Sequence, residues 1–166
     1  NMKTIIAIII LFFSVNSAFA QTAKRTKNFN VDKSTLAIEG YDPVSYFTAN
    51  KATKGKSNIA SVYEGITYRF TSEQNRAAFK ANPAKYEPQF GGWCAYAMGE
   101  NGEKVSINPE TFKIVNGKLY LFYNKFFNNT LKDWNENENE LKQKAEKNWT
   151  FTKKNVRLAF KFLVQI

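Results

Sequence analysis

The sequence predicts an α+β fold, a small antiparallel sheet built from hairpins with packed helices, in a single domain. Three observations carry this. Two pairs of β-branched and aromatic runs are each broken by a glycine-containing turn, at Glu64-Gly65 and at Asn116-Gly117-Lys118. From Asn124 onward, apolar residues recur at helical steps of three and four instead. The chain has 166 residues, enough for one domain with a real core and few for two.

Residues 1–20 read as a secretory signal. Lys3 supplies a positive start, residues 5–13 are nine consecutive apolar positions, and Ala18-Phe19-Ala20 before Gln21 gives the small-x-small pattern of a cleavage site. At about 1.5 Å per helical residue, that apolar run is too short for a hydrocarbon core of about 30 Å. Export to a periplasmic or extracellular location, with cleavage after Ala20, is the expectation. Residues 21–30, with Lys24, Arg25 and Lys27, then read as a flexible lead-in, order beginning near residues 29–31.

A domain is expected over residues 31–149. Leu36-Ala37-Ile38-Glu39-Gly40 reads as a short strand closed by glycine, and residues 41–47 as a turn in which Pro43 fixes one φ angle. Runs 59–63 and 66–70 form a hairpin across Glu64-Gly65, with Ile66, Tyr68 and Phe70 on one face and Thr67 and Arg69 on the other. Thr71 or Ser72 caps a helix whose main buried residue is Phe79 and which Asn82-Pro83 stops. Residues 90–99 are dense in rings and glycine, and Gly91-Gly92 implies close approach of another strand or a ligand. With Gly99, these glycines argue against a helix that would let Cys94 and Met98 face one another.

A second hairpin joins runs 112–115 and 119–122. Phe127, Leu131, Trp134, Leu141, Ala145 and Trp149 then mark an apolar stripe on two helices, separated by the asparagine-rich stretch 135–139. Residues 150–166 form a basic tail that alternates strictly from Val156 to Ile166. It reads as a peripheral strand, a surface-binding tail open to membrane contact, or sequence beyond a natural stop. One alternating segment cannot close a barrel.

Composition removes several functions. The chain has no histidine and one cysteine. A Ser-His-Asp triad, a Cys-His pair, a histidine metal cluster and an internal disulfide are therefore excluded. The net charge is +10, but Lys153, Lys154, Arg157 and Lys161 concentrate much of it in the tail. With no aromatic-basic motif behind that charge, no nucleic-acid partner is expected.

The stretch Gly65-Ile66-Thr67-Tyr68-Arg69-Phe70-Thr71-Ser72, with Glu73-Gln74-Asn75-Arg76-Ala77-Ala78-Phe79 and Asn82-Pro83-Ala84-Lys85-Tyr86, resembles the core of the YHS domain family. Tyr68 and Ser72 match the tyrosine and serine of that name, and Arg69 stands at the histidine. Asp42-Pro43-Val44-Ser45 is similar to an Asp-Pro-Val-Cys element with Ser45 for the cysteine, and Thr71 and Asn75 stand where the family often has further thiols. The chain is closer to an exported branch that lacks the metal-type cysteines, whose motifs match residues 40–47, residues 91–97 and Trp149. The resemblance implies a compact α+β domain and a general link to metal handling.

The expected function is a non-catalytic exported binding module for a small molecule or metal ion. Residues 40–47 and 91–97 would meet around one aromatic cleft, where Tyr41, Tyr46, Trp93 and Tyr96 offer stacking surface and Asp42 and Cys94 polar handles. Two alternatives stay open. One is a copper(I) protein using Cys94 and Met98, copper being the sole cofactor considered, although such a site needs two to four well-placed soft groups. The other is a thiol enzyme using Cys94, which would need a neighbouring base or cation. Each residue also has a structural reading: Cys94 as a buried thiol, Asp42 as a turn residue bonding its own backbone, and the rings as core.

Overall fold

Two of the hairpins close where the glycines are. The computed structural model describes residues 25–163, with side chains through Lys154. Strand β1 (Lys56–Tyr63) passes through Glu64 and Gly65, at φ of 46° and 82°, into β2 (Ile66–Phe70), with Tyr63 opposite Ile66. Strand β3 (Asn108–Val115) passes through Asn116 and Gly117, at 51° and 70°, into β4 (Lys118–Phe122). Positive φ at both central residues is the type I′ turn, whose twist suits paired strands. A third hairpin, β5 (Asn124–Lys125) with β6 (Asn128–Asn129), turns through Phe126 and Phe127 at 52° and 66°.

These ribbons remain separate two-stranded units among the described residues. Short irregular segments occupy their free edges instead of further strands: Ala37 N–H donates to Thr67 O at 2.9 Å, Thr67 N–H to Thr35 O at 2.9 Å, and Pro88 bridges Leu119. The 36–40 stretch is thus a pair of isolated bridges, Leu36 to Thr67 and Ala37 to Val31, followed by a tight turn over Ile38–Gly40, and not a regular strand.

Helix α1 (Ser45–Thr48) is one turn after Pro43. Helix α2 (Glu73–Ala81) starts where expected, with Ser72 Oγ accepting the Asn75 amide at 3.2 Å. Asn82 ends it and caps α3 (Pro83–Tyr86). Phe79 is fully buried against Tyr68 and Phe70, on the β2 face assigned to the core.

Helix α4 (Ala95–Glu100) forms despite its flanking glycines. Gly99 serves a contact here: a Cβ on it would lie 2.6 Å from the Leu141 carbonyl oxygen, so only glycine lets α4 rest on the next long helix. Gly91 is likewise crowded by its own chain, by Phe29 and the Trp149 ring. Helix α5 (Thr130–Glu136) and helix α6 (Glu138–Leu163) are the expected two, broken at Asn137. Phe127 does not join their stripe, because the chain before Thr130 is the third hairpin. No described helix is long and apolar enough to cross a membrane.

Two expectations change at the ends. The alternating stretch does not make a strand over residues 156–163, where the backbone stays helical. Once α6 is nucleated, each added residue gains a hydrogen bond while fixing only one more pair of dihedrals. At the other end, packing begins at Arg25. Its guanidinium lies over the Phe29 ring at 4.3 Å and the Tyr63 ring at 5.1 Å and pairs with Glu64 and Glu87, so residues 25–30 are part of the domain. The signal expected at residues 1–20, the start of the lead-in and residues 164–166 lie outside the described residues.

Candidate functional site

Backbone geometry places Cys94 first. Its extended conformation, φ −56° and ψ 120°, precedes α4, and its N–H donates to Val105 O at 2.9 Å. This anchors the loop before β3 against the start of the helix. The side chain is completely buried. Sγ accepts the Tyr123 amide at 3.3 Å and lies 3.5 Å from Thr130 Oγ1. That hydroxyl donates to Tyr123 O at 2.9 Å. The thiol therefore ties α4 to the end of β4 and the first residue of α5.

Above Cys94 opens a cleft of about 270 Å³. Cys94, Ala97, Val105 and Thr130 form its inner wall. Tyr96, Tyr123, Glu100, Glu103 and Asn128 reach its more exposed edge, and no lysine or arginine is among the lining residues. In a chain of net charge +10 this is a locally acidic opening. Burial, then the carboxylates of Glu100, Asp133 and Glu136, push the Tyr96 hydroxyl above its usual value, so it stays a protonated donor at neutral pH. Larger hollows lie along α6, about 630 Å³, and beside residues 30–39, about 340 Å³. The first is lined from one helix alone, which cannot enclose a ligand. In the second, Asp32 Oδ1 is already engaged by Ser34 and Leu36 amides.

The other residues singled out from the sequence lie elsewhere. Asp42 is completely buried: Oδ1 accepts the Val44 amide at 2.8 Å, and Oδ2 accepts Thr71 N–H at 2.8 Å, Thr71 Oγ1 at 2.8 Å and Asn75 Nδ2 at 2.7 Å. It staples the Pro43 turn to the start of α2, the turn role combined with a long-range one. Tyr46 is equally buried, donating to Pro109 O at 2.8 Å and packing edge-on to Phe112. Tyr41 reaches Glu110 at 3.3 Å beneath Lys54. Trp93 donates to Asn28 O at 2.7 Å. Tyr46 and Cys94 belong to one core cluster, so segments 40–47 and 91–97 both contribute to packed interior. The cleft that Cys94 lines takes Tyr96 with it and nothing from residues 40–47. That corrects the expected shared aromatic cleft.

Met98 does sit on a helix with Cys94 at its cap, its N–H bonded to Cys94 O at 3.0 Å. Its side chain belongs to the other buried cluster, with Trp134, Tyr120 and Phe122. Among the described residues no group of three or more Cys, Asp or Glu could hold a metal. With Sγ already bonded to Tyr123 and Thr130, the residues present do not fit a copper(I) site.

Tyr123, Thr130, Glu100 and Glu103 carry no sequence signal. Tyr123 and Thr130 reach Cys94 only through the β4–β5–β6–α5 path, while Glu100 and Glu103 lie at and just beyond the end of the helix that Cys94 caps. Comparison of the chain with protein-family models, with curated proteins and with solved structures finds no match in any of the three.

Proposed function

We propose that the chain is an exported, non-catalytic binding module of YHS type, and that its ligand site is the Cys94–Tyr96–Tyr123 cleft. The supporting observation is the cleft itself: a buried inner wall and a rim whose charged groups are Glu100 and Glu103. Such a lining selects a ligand with an apolar body and a positive charge, because the carboxylates oppose an anion while the inner wall rewards a ring or short chain. Its volume of about 270 Å³ suits one ring and little more. Catalysis finds no support in the geometry, since the partners of the thiol among the described residues are the Tyr123 amide and the Thr130 hydroxyl, neutral groups that do not activate a nucleophile.

Titration of the purified protein with phenethylammonium, followed by amide chemical shifts, tests this. Saturable shifts at Tyr96, Tyr123 and Asn128, with a Kd on the order of 1 mM, are expected, and phenylacetate should give none. Equal binding of the two probes, or shifts confined to other surfaces, would remove the reading.

A further inference from the structure

The third hairpin is built against its own backbone preference. Type I′ turns favour Asn-Gly because both central residues need positive φ, and the other two hairpins carry glycine at the second position. Here both positions are phenylalanine, at 52° and 66°, and the two residues are 88% and 110% exposed. A strained turn presenting two bare rings is stabilised by neither packing nor sequence, the signature of a surface kept for a contact.

We infer that the partner is a second copy of this chain, and that the Lys125-Phe126-Phe127 tip of each copy enters the Cys94–Tyr96 cleft of the other. This rests on the cleft reading above and names its occupant. Two observations select the second copy. Asn128, the residue after the tip, lines the cleft, so projection and recess lie side by side on one surface, as a two-fold contact requires. The chemistry is complementary: the tip offers rings beside the exposed Lys125, and the cleft offers an apolar wall beneath Glu100 and Glu103. The same carboxylates, with Asp133 and Glu136 close to Tyr96, disfavour an anionic lipid surface at this end of the molecule.

Sedimentation velocity of the purified protein across a concentration series tests the assignment, with Phe126→Asn/Phe127→Gly and Glu100→Lys/Glu103→Lys as variants. The wild type dimerises, more tightly at low salt, and each variant weakens the dimer by more than about 30-fold. Phenethylammonium at saturation dissociates the wild-type dimer. The tip variant suits the turn better than the native residues do, so its loss of dimer is not a loss of fold. A wild type that stays monomeric, or a tip variant that still dimerises, overturns the inference. So does wild-type co-flotation with phosphatidylcholine–phosphatidylglycerol vesicles that the tip variant loses. Phenethylammonium binding by a protein that is monomeric throughout would leave the cleft reading standing and this inference refuted; absence of both would refute both.

Discussion

The Cys94 thiol and the Thr130 hydroxyl are bonded in one direction only. Thr130 Oγ1 has a single proton, given to the Tyr123 carbonyl at 2.9 Å, so across the 3.5 Å contact the thiol is the donor. Sulfur in turn accepts the Tyr123 amide. With its proton given, a backbone amide accepted and no exposed surface, the sulfur is enclosed by the fold. Folded protein should therefore react with an aromatic disulfide reagent only as fast as it opens, the rate climbing with urea. Full labelling within seconds in native buffer would contradict it. Thr130→Val, which leaves the S–H without an acceptor, should cost about 1–2 kcal/mol in urea unfolding.

Asp42 holds the Pro43 turn to α2 with acceptors alone. Three donors converge on Oδ2, from Thr71 N–H, Thr71 Oγ1 and Asn75 Nδ2. Asp42→Asn keeps the shape but turns one oxygen into a donor. Wherever the new amide points, it meets at least one N–H with no lone pair to offer. A loss of about 3 kcal/mol is expected, while Asp42→Glu should be hardly better because its longer arm overshoots a fully buried socket. A loss below about 1 kcal/mol for the asparagine variant would show that the staple is dispensable.

Alkaline pH should expose the buried tyrosines. Burial raises the Tyr46 hydroxyl far above its usual value of 10.0, and burial, followed by the Glu87 carboxylate that accepts its bond at 2.5 Å, does the same for Tyr68. The folded chain therefore keeps protons that the unfolded chain releases. Their contribution is complete below about pH 10 and is lost as pH rises from there towards the folded values. Each group adds a slope of about 1.4 kcal/mol per pH unit. Urea unfolding at pH 8 and pH 11 measures it: Tyr68→Phe should be less stable than wild type at pH 8 yet lose less between the two. An unchanged loss would rule out Tyr68 as a source.

What was legible in the sequence follows from where the physics is local. Glu64-Gly65 and Asn116-Gly117 announce their turns because glycine relieves a backbone demand within two residues. Ser72 announces α2 for the same reason, its hydroxyl satisfying an amide three positions on. Phe126-Phe127 announces nothing, and Phe127 falls by chance four residues before Leu131, so a hairpin tip reads as helix. Gly99 looks like a helix breaker because its use, contact with Leu141, is 42 residues away in the chain. The site divides the same way. Cys94 stands out as the sole thiol, but Thr130 and Tyr123 become its partners only after β4 and the third hairpin have folded. Aromatic content could not separate Tyr46 in the core from Tyr96 at the cleft, since rings serve both places.

The Gly99 contact is testable directly. An alanine Cβ would sit 2.6 Å from Leu141 O and 3.1 Å from Leu141 C, backbone atoms that no rotamer change can move. Helices α4 and α6 must separate, and with them the Asn148 Nδ2 bond to Met98 O at 2.9 Å. Gly99→Ala should cost about 2–3 kcal/mol even though alanine is the better helix former. A stabilised variant would mean the two helices are not held this close.

The phenylalanine turn makes the opposite prediction, a substitution that stabilises. Left-handed backbone costs an ordinary residue about 1–2 kcal/mol, and asparagine and glycine avoid most of it at positions 126 and 127. The added glycine returns part of that gain through greater freedom in the unfolded chain. For Phe126→Asn/Phe127→Gly the net is about 1–2 kcal/mol in favour of the hairpin. Because β5 and β6 are only two residues each, the gain shows first as slower amide hydrogen exchange in the hairpin and only then in the urea midpoint. Slower exchange together with lost self-association would mean the native rings hold a strained turn for the sake of a contact. Exchange that is unchanged or faster would show that Phe126 and Phe127 carry no strain, and the argument from backbone conformation would fail while that from exposure remained.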